Sequence, residues 1–211
     1  MPKLTLRLLI LFLAAVASSN CYAQDIKLPE SKQLPYAKLL ERVKGGDLTI
    51  DFKRLRFSYM DSPEYRTAKN TDEQAEAMIA AINANDFPAA LKSAEVVLAN
   101  DYVDLDAHFA EFVANRELHH DSEANFHKAV FEGMVRSITD SGDGKSDKTA
   151  YVVITTHEEY VLLRVMGLSP GQQSLKHSNH HSYDILEAKD PKTNQTVTLY
   201  FNVDIPFKHY Q

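Results

Sequence analysis

The chain has 211 residues and a formal net charge of −6, with 23 basic residues against 29 acidic ones. An acidic chain with scattered lysines excludes a nucleic-acid partner and docking on anionic lipid, because both need a concentrated positive surface. With one cysteine, Cys21, no disulfide can form within the chain.

Residues 1–23 read as an address. Lys3 and Arg7 make a basic start, Leu8 to Val16 is an unbroken apolar run, and small and polar residues follow to Ala23. This is the layout of a secretory signal peptide cleaved between Ala23 and Gln24, so an exported protein, periplasmic or extracellular, is expected. The apolar run is shorter than the roughly 20 residues that span a bilayer, so no stable membrane insertion is expected once the signal is removed. A competing reading makes Cys21 the lipid-accepting cysteine of a lipoprotein; Asn20 before it is bulkier than that processing prefers. Cleavage at Ala23 also removes Cys21, which takes thiol catalysis and cysteine-ligated metals out of the mature chain.

Residues 24–34 are polar and read as a flexible tether. Residues 35–207 are expected to form a single α+β domain, with a helical part over 35–139 and a β-rich part over 140–207. Pro35 can open a first helix that runs to Lys44 and is closed by Gly45 and Gly46. A second helix is expected over Asp51–Tyr59, with Phe52, Leu55, Arg56 and Tyr59 on one side. Residues 61–70 read as a loop. Thr71 and Gln74 look like a capping box, after which Ala75, Met78, Ile79 and Ile82 keep the helical period. Asp86 and Pro88 begin the next helix, with Leu91, Ala94, Val97 and Leu98 in step. Asp104 can cap a helix with Leu105, Phe109, Phe112 and Val113 inward. Asp121 can cap another through Ile138.

After the polar loop from Asp140 to Asp147 the period changes from 3.6 to 2. Tyr151–Thr155 reads as a buried strand, and Thr156 with Glu159 as a capping box for a short helix to Gly167. Gln172–His177, Tyr183–Ala188 and Val197–Val203 read as further strands, the last two joined as a hairpin. The fold class expected is therefore α+β: tetratricopeptide-like helical hairpins, then a small antiparallel sheet with one helix.

Two resemblances bear on this. The string Asn85 to Leu91 with Ala94, Leu98, Asn100 and Ala107 resembles a tetratricopeptide repeat, and Asp86 and Asp121 stand close to that family's period of about 34 residues apart. The repeat's aromatic–glycine signature is missing, and Tyr102 stands where its helix-ending proline is usual. The second resemblance covers about Leu48 to Phe207. Asp51-Phe52, Leu55-Arg56, Tyr59, His127, Ser137-Ile138, Ser141-Gly142-Asp143-Gly144, Thr149-Ala150-Tyr151, Val153-Ile154, Glu158-Glu159-Tyr160, Gln173-Ser174-Leu175, Tyr183-Asp184 and Leu199-Tyr200-Phe201-Asn202-Val203 together resemble a bacterial family of secreted proteins, domain of unknown function 4919. The resemblance implies an exported bacterial protein and no established activity. It supplies no catalytic residues.

The residues themselves offer few sites. Ser141 to Ser146 resembles part of a phosphate loop, but a helix precedes it and a strand follows, the reverse of what that anion site needs. As a calcium loop counted from Asp140, it puts Lys145 and Tyr151 where glycine and glutamate are required. The plain alternative is a turn in which Gly142 and Gly144 supply positive φ and the aspartates bond the backbone. The histidines fall into two groups, His119, His120 and His127, then His177, His180 and His181. His120 and His127 lie two turns apart on a continuous helix, about 10.5 Å, too far for one ion. No metal and no cofactor are expected. Glu158 and Glu159 point about 100° apart on a helix, which speaks against joint acid–base work, and Gly-x-Ser-x-Gly does not occur.

The catalytic inventory is thin, and catalytic residues are unassigned. The reading is an exported binding or scaffolding protein of the cell envelope, with a protein or peptide as partner. The alternative is a hydrolase or metal-binding protein with a site between the helical and β parts. Candidate site residues are His127, Ser141, Asp143 and Glu158. The exported protein is expected to begin at Gln24, which N-terminal sequencing checks; a lipidated Cys21 or an intact N-terminus in the membrane fraction would contradict it.

Overall fold

The computed structural model describes residues 35–209. The expected signal, cleavage site and tether lie outside them. The chain divides into two compact units, one ending at Ile138 and one beginning at Thr139.

The first unit is helical throughout its described residues. It comprises α1 (Tyr36–Lys44), α2 (Phe52–Met60), α3 (Pro63–Thr67), α4 (Asp72–Ala84), α5 (Phe87–Asn100), α6 (Leu105–Glu117) and α7 (Asp121–Thr139). The starts follow from side-chain oxygens that accept otherwise unpaired N–H groups. Asp51 accepts from Arg54, Asp86 from Ala89 and Asp104 from Ala107. Thr71 makes no such bond; Asn70 Oδ1 takes the Asp72 N–H instead. The segment expected as loop contains α3, because Ser62 caps it and Pro63 fits its first turn. As expected, Phe52, Leu55, Arg56 and Tyr59 all face inward. Arg56 is buried with a hydrogen bond to Ser137 Oγ at 2.8 Å, and Tyr59 stacks between Tyr36 and Tyr65. The helices α4, α5 and α6 stack in succession, with α4 also touching α6.

The second unit holds β1 (Tyr151–Val152), α8 (Thr156–Val165), β2 (Ser169–Ser178), β3 (His181–Lys189), β4 (Thr196–Asn202) and α9 (Asp204–His209). The sheet order is β1-β4-β3-β2. Both hairpin pairings are antiparallel, but β1 runs parallel to β4, so the sheet is mixed and not purely antiparallel. A second helix, α9, also joins it, its start set by Asn202 Oδ1 accepting the Asp204 N–H. The expected strand 151–155 is only two residues long, and the Ile154 N–H is taken by Glu158 of α8 instead of a strand partner. Two residues with positive φ, Asn179 and His180, make the tight turn between β2 and β3.

The loop between α7 and β1 is a cover for the sheet edge. Ser141 Oγ accepts the outward N–H of Val152 at 2.8 Å, and the Gly144 carbonyl accepts the N–H of Tyr200 on β4 at 2.8 Å. The Asp143 and Gly144 N–H groups both reach the Thr149 carbonyl. Of the two glycines only Gly144 has positive φ, at 68°. Gly142 is required for a different reason: a Cβ there would lie 2.2 Å from the Thr149 carbonyl oxygen.

Gly142→Ala is therefore expected to cost about 1–3 kcal/mol by forcing apart two backbone segments. Asp143→Ala should cost only about 1 kcal/mol, the loss of a turn bond. Urea unfolding measures both, and a Gly142→Ala chain as stable as wild type would remove the close-approach account.

Candidate functional site

The helical unit contains two short hydrogen-bonded polar runs on α6 and α7, which approach each other without a hydrogen bond between them. His108, Glu111 and Asn115 sit at i, i+3 and i+7 of α6, one face of the helix, and all three are buried. The first run starts at a backbone carbonyl. His108 Nε2 lies 2.9 Å from the Tyr102 oxygen. A carbonyl only accepts, so Nε2 carries the hydrogen and Nδ1 of His108 is an acceptor. His127 Nδ1 lies 2.9 Å from that nitrogen and must donate to it. This leaves Nε2 of His127 as a bare lone pair, 3.9 Å from Glu111 Oε2. Glu111 is held in turn by Asn115 Nδ2 at 2.9 Å, and the Asn115 carbonyl oxygen takes His120 Nδ1 at 3.1 Å.

Burial decides the charge states. It pushes His108 down to about 3, with the facing ring of His127 adding to the effect. It pushes His127 down to about 4 against the pull of Glu123. It pushes Glu111 up to about 7, although the Asn115 hydrogen bond opposes this. At neutral pH a fixed, neutral imidazole thus faces a carboxyl group poised to hold or release a proton. Such a pair can exchange protons with a bound group, or present Nε2 as a ligand. Among the described residues no three His, Cys, Asp or Glu side chains are placed to hold a metal.

Of the predicted site residues, His127 alone belongs to this centre; Ser141, Asp143 and Glu158 lie in the second unit, each with local partners. Ser141 serves the sheet edge. Asp143 is exposed, bonds the Lys145 N–H at 3.0 Å, and is held below the usual carboxylate range by Thr149 and Lys145. Glu158 is buried and accepts the Ile154 N–H at 2.8 Å. It does the work expected of Glu159, and the expected Thr156 cap fails because Thr156 is already inside α8 and Thr155 precedes it without a side-chain bond.

Glu159 instead faces Asp184 of β3. Both of its oxygens are buried without a donor, and burial, then the Asp184 charge, raise it to about 9. It is protonated at neutral pH, and the neighbouring Asp184 accepts from Gln173 Nε2 at 2.8 Å. Gln173 is fixed by the Tyr160 hydroxyl at 2.7 Å. The signal for Asp184 was in the strand: it shares the parity of buried Leu186 and Ala188. For His108, Glu111 and Asn115 the signal was their helical spacing beside Ala107, Ala110 and Ala114.

A family model described as domain of unknown function, DUF4919, matches residues 24–211. The chain belongs to that family. No curated protein and no solved structure matches it.

Within this DUF4919 chain the buried histidines predict a pH signature. His127 has a lower value folded than unfolded, so its contribution is intact above about 6.5 and is lost as pH falls toward 4, where the unfolded chain takes up the proton first. Glu111 works with the opposite sign: its contribution is lost as pH rises from the ordinary carboxylate range through 7. The stability deficit of His127→Gln against wild type should shrink by about 2 kcal/mol between pH 7.5 and 4.5, at about 1.4 kcal/mol per pH unit below the unfolded value. Urea titrations across that range check this; a deficit independent of pH would mean that His127 is not held neutral.

Proposed function

We propose that the chain is an exported binding protein of the cell envelope, and that its helical unit takes a protein or peptide on the outer face of α6. The observation that carries this reading is the burial of polar residues on that helix beside half-buried phenylalanines. Folding stability favours phenylalanine inside and His, Glu and Asn outside. Here His108, Glu111 and Asn115 are buried, while Phe109, Phe112 and Val113, expected inward, keep part of their surface in solvent. The Phe109 ring rests on Phe131 of α7 at 5.4 Å, and Arg116 stacks over Phe112 at 5.3 Å. Aromatic side chains with an arginine laid on them match the composition of binding hot spots. They suit a partner with an apolar anchor; the Arg116 guanidinium is itself paired with Glu117 at 2.7 Å. The hydrogen-bonded network behind the helix keeps this face rigid, which lowers the entropic cost of binding.

A hydrolytic reading is favoured by one observation, the bare Nε2 of His127 beside Glu111. A neutral base and a protonated acid side by side are the pairing that acid–base hydrolysis uses.

One comparison separates the two. Immobilised wild-type protein should retain a partner from envelope extract that Phe112→Ala/Arg116→Ala loses by about tenfold, a hot-spot-sized 1.4 kcal/mol. His127→Gln should retain it, and the double variant should remain folded, with a melting temperature lowered by the loss of the Phe112 packing. Equal retention by wild type and the double variant would overturn the binding reading. Substrate turnover abolished by His127→Gln, with no partner retained, would establish the hydrolytic one.

A further inference from the structure

Glu159 on α8 has no exposed surface, and neither of its carboxyl oxygens meets a donor. Beside it lies Asp184 of β3, 6 % exposed. Glu158 also stands near, but its Oε2 is committed to the Ile154 N–H. Buried acceptors without donors call for a counter-group, because neither water nor a neighbouring dipole compensates them. Among the described residues, the one donor to the Glu159 and Asp184 oxygens is Gln173 Nε2, 2.8 Å from Asp184 Oδ2.

Gln173 can present its oxygen as readily as its nitrogen. The far end of its amide is held by the Tyr160 hydroxyl at 2.7 Å. A hydroxyl both donates and accepts, so turning the amide over keeps the Tyr160 bond and points Oε1 at the carboxyls. The group lies one layer below solvent. Gln173 is exposed, and Leu175, directly across from Asp184 in the register, is 47 % exposed.

We propose that Glu159, Asp184 and the amide oxygen of Gln173 bind a calcium ion that enters past Gln173. The donor set is all oxygen, which selects a hard cation. One divalent ion neutralises both carboxylates, whereas a monovalent ion leaves a buried negative charge. Magnesium demands a near-ideal octahedron and keeps several of its waters, which the sealed surroundings of Glu159 do not admit. Calcium accepts irregular geometry and bidentate carboxylates. Three acidic or histidine ligands are not gathered here among the described residues; the Gln173 amide takes the place of the third. Water from the Gln173 side completes the roughly six to eight oxygens that calcium takes. Without the ion Glu159 is protonated, so binding exchanges that proton for calcium.

Thermal unfolding of the whole chain in chelator and in a calcium series tests this. At calcium about 100-fold above its Kd, the wild-type melting temperature should rise by about 5–10 °C. Magnesium at the same concentration should raise it far less. Glu159→Gln, an isostere of the protonated acid, should match wild type in chelator and lose the calcium response, as should Asp184→Asn. The chain has no tryptophan, so terbium, a calcium-sized ion excited through nearby tyrosine, gives a second readout beside Tyr160. It should emit on wild type and stay dark on Glu159→Gln; if that variant does not fold, Asp184→Asn decides in the same way. A wild type that does not respond to calcium overturns the proposal, as does an equal response to magnesium, which would be general screening of an acidic chain. So does a response that survives Glu159→Gln, or one lost in Asp143→Asn alone, which would put the ion in the loop before β1.

Discussion

A buried imidazole must satisfy two nitrogens, and in the helical unit this requirement at His108 organises what surrounds it. The Tyr102 carbonyl accepts its Nε2–H, which makes Nδ1 an acceptor and orients His127 as a donor. From that single assignment follow the tautomer of His127, its bare Nε2, and the carboxyl of Glu111 beside it. The network also sets the rotation of α6. Beside His108, Glu111 and Asn115 the buried residues of α6 are Leu105 in its first turn and the small Ala107, Ala110 and Ala114. The phenylalanines are left on the flank. An unpaired buried polar group costs about as much as burying a large apolar side chain gains, so a satisfied network can outweigh the usual preference for phenylalanine inside.

The same accounting of hydrogen bonds shapes the second unit. A two-residue β1 cannot cover β4, and the loop from Ser141 to Thr149 supplies the missing partners. This explains its composition better than a ligand does. A hydroxyl at Ser141 takes a strand donor, Asp143 holds the turn, and two glycines allow the backbone to come close. Behind the sheet face, burial and the neighbouring Asp184 carboxyl raise Glu159 well above the usual carboxylate range.

Much of the helical order was legible because it is local. Asp86, Asp104 and Pro88 mark helix starts through bonds and dihedrals that involve residues within one turn. Hydrophobic period located α4, α5 and α7 and both strands of the β3–β4 hairpin. Local reading failed where two local solutions compete. Asn70 outcompetes Thr71 at the start of α4, and Glu158 replaces Glu159 at the start of α8. On α6 it was right for Leu105, which is buried, but Phe109, Phe112 and Val113, also expected inward, keep part of their surface in solvent.

Of the candidate residues, His127 was legible as a helical histidine, but its chemistry was not. The amino-acid sequence alone determined what contiguous residues determine: helix starts and lengths, the change of period after Asp140, and a turn rich in glycine and aspartate. Tertiary structure decided which face of α6 turns inward, which strand β1 joins in parallel, and which carboxylate meets Asp184. Those choices depend on polar groups finding partners through space, where the free energy of pairing a buried donor or acceptor exceeds any preference written in its neighbours along the chain.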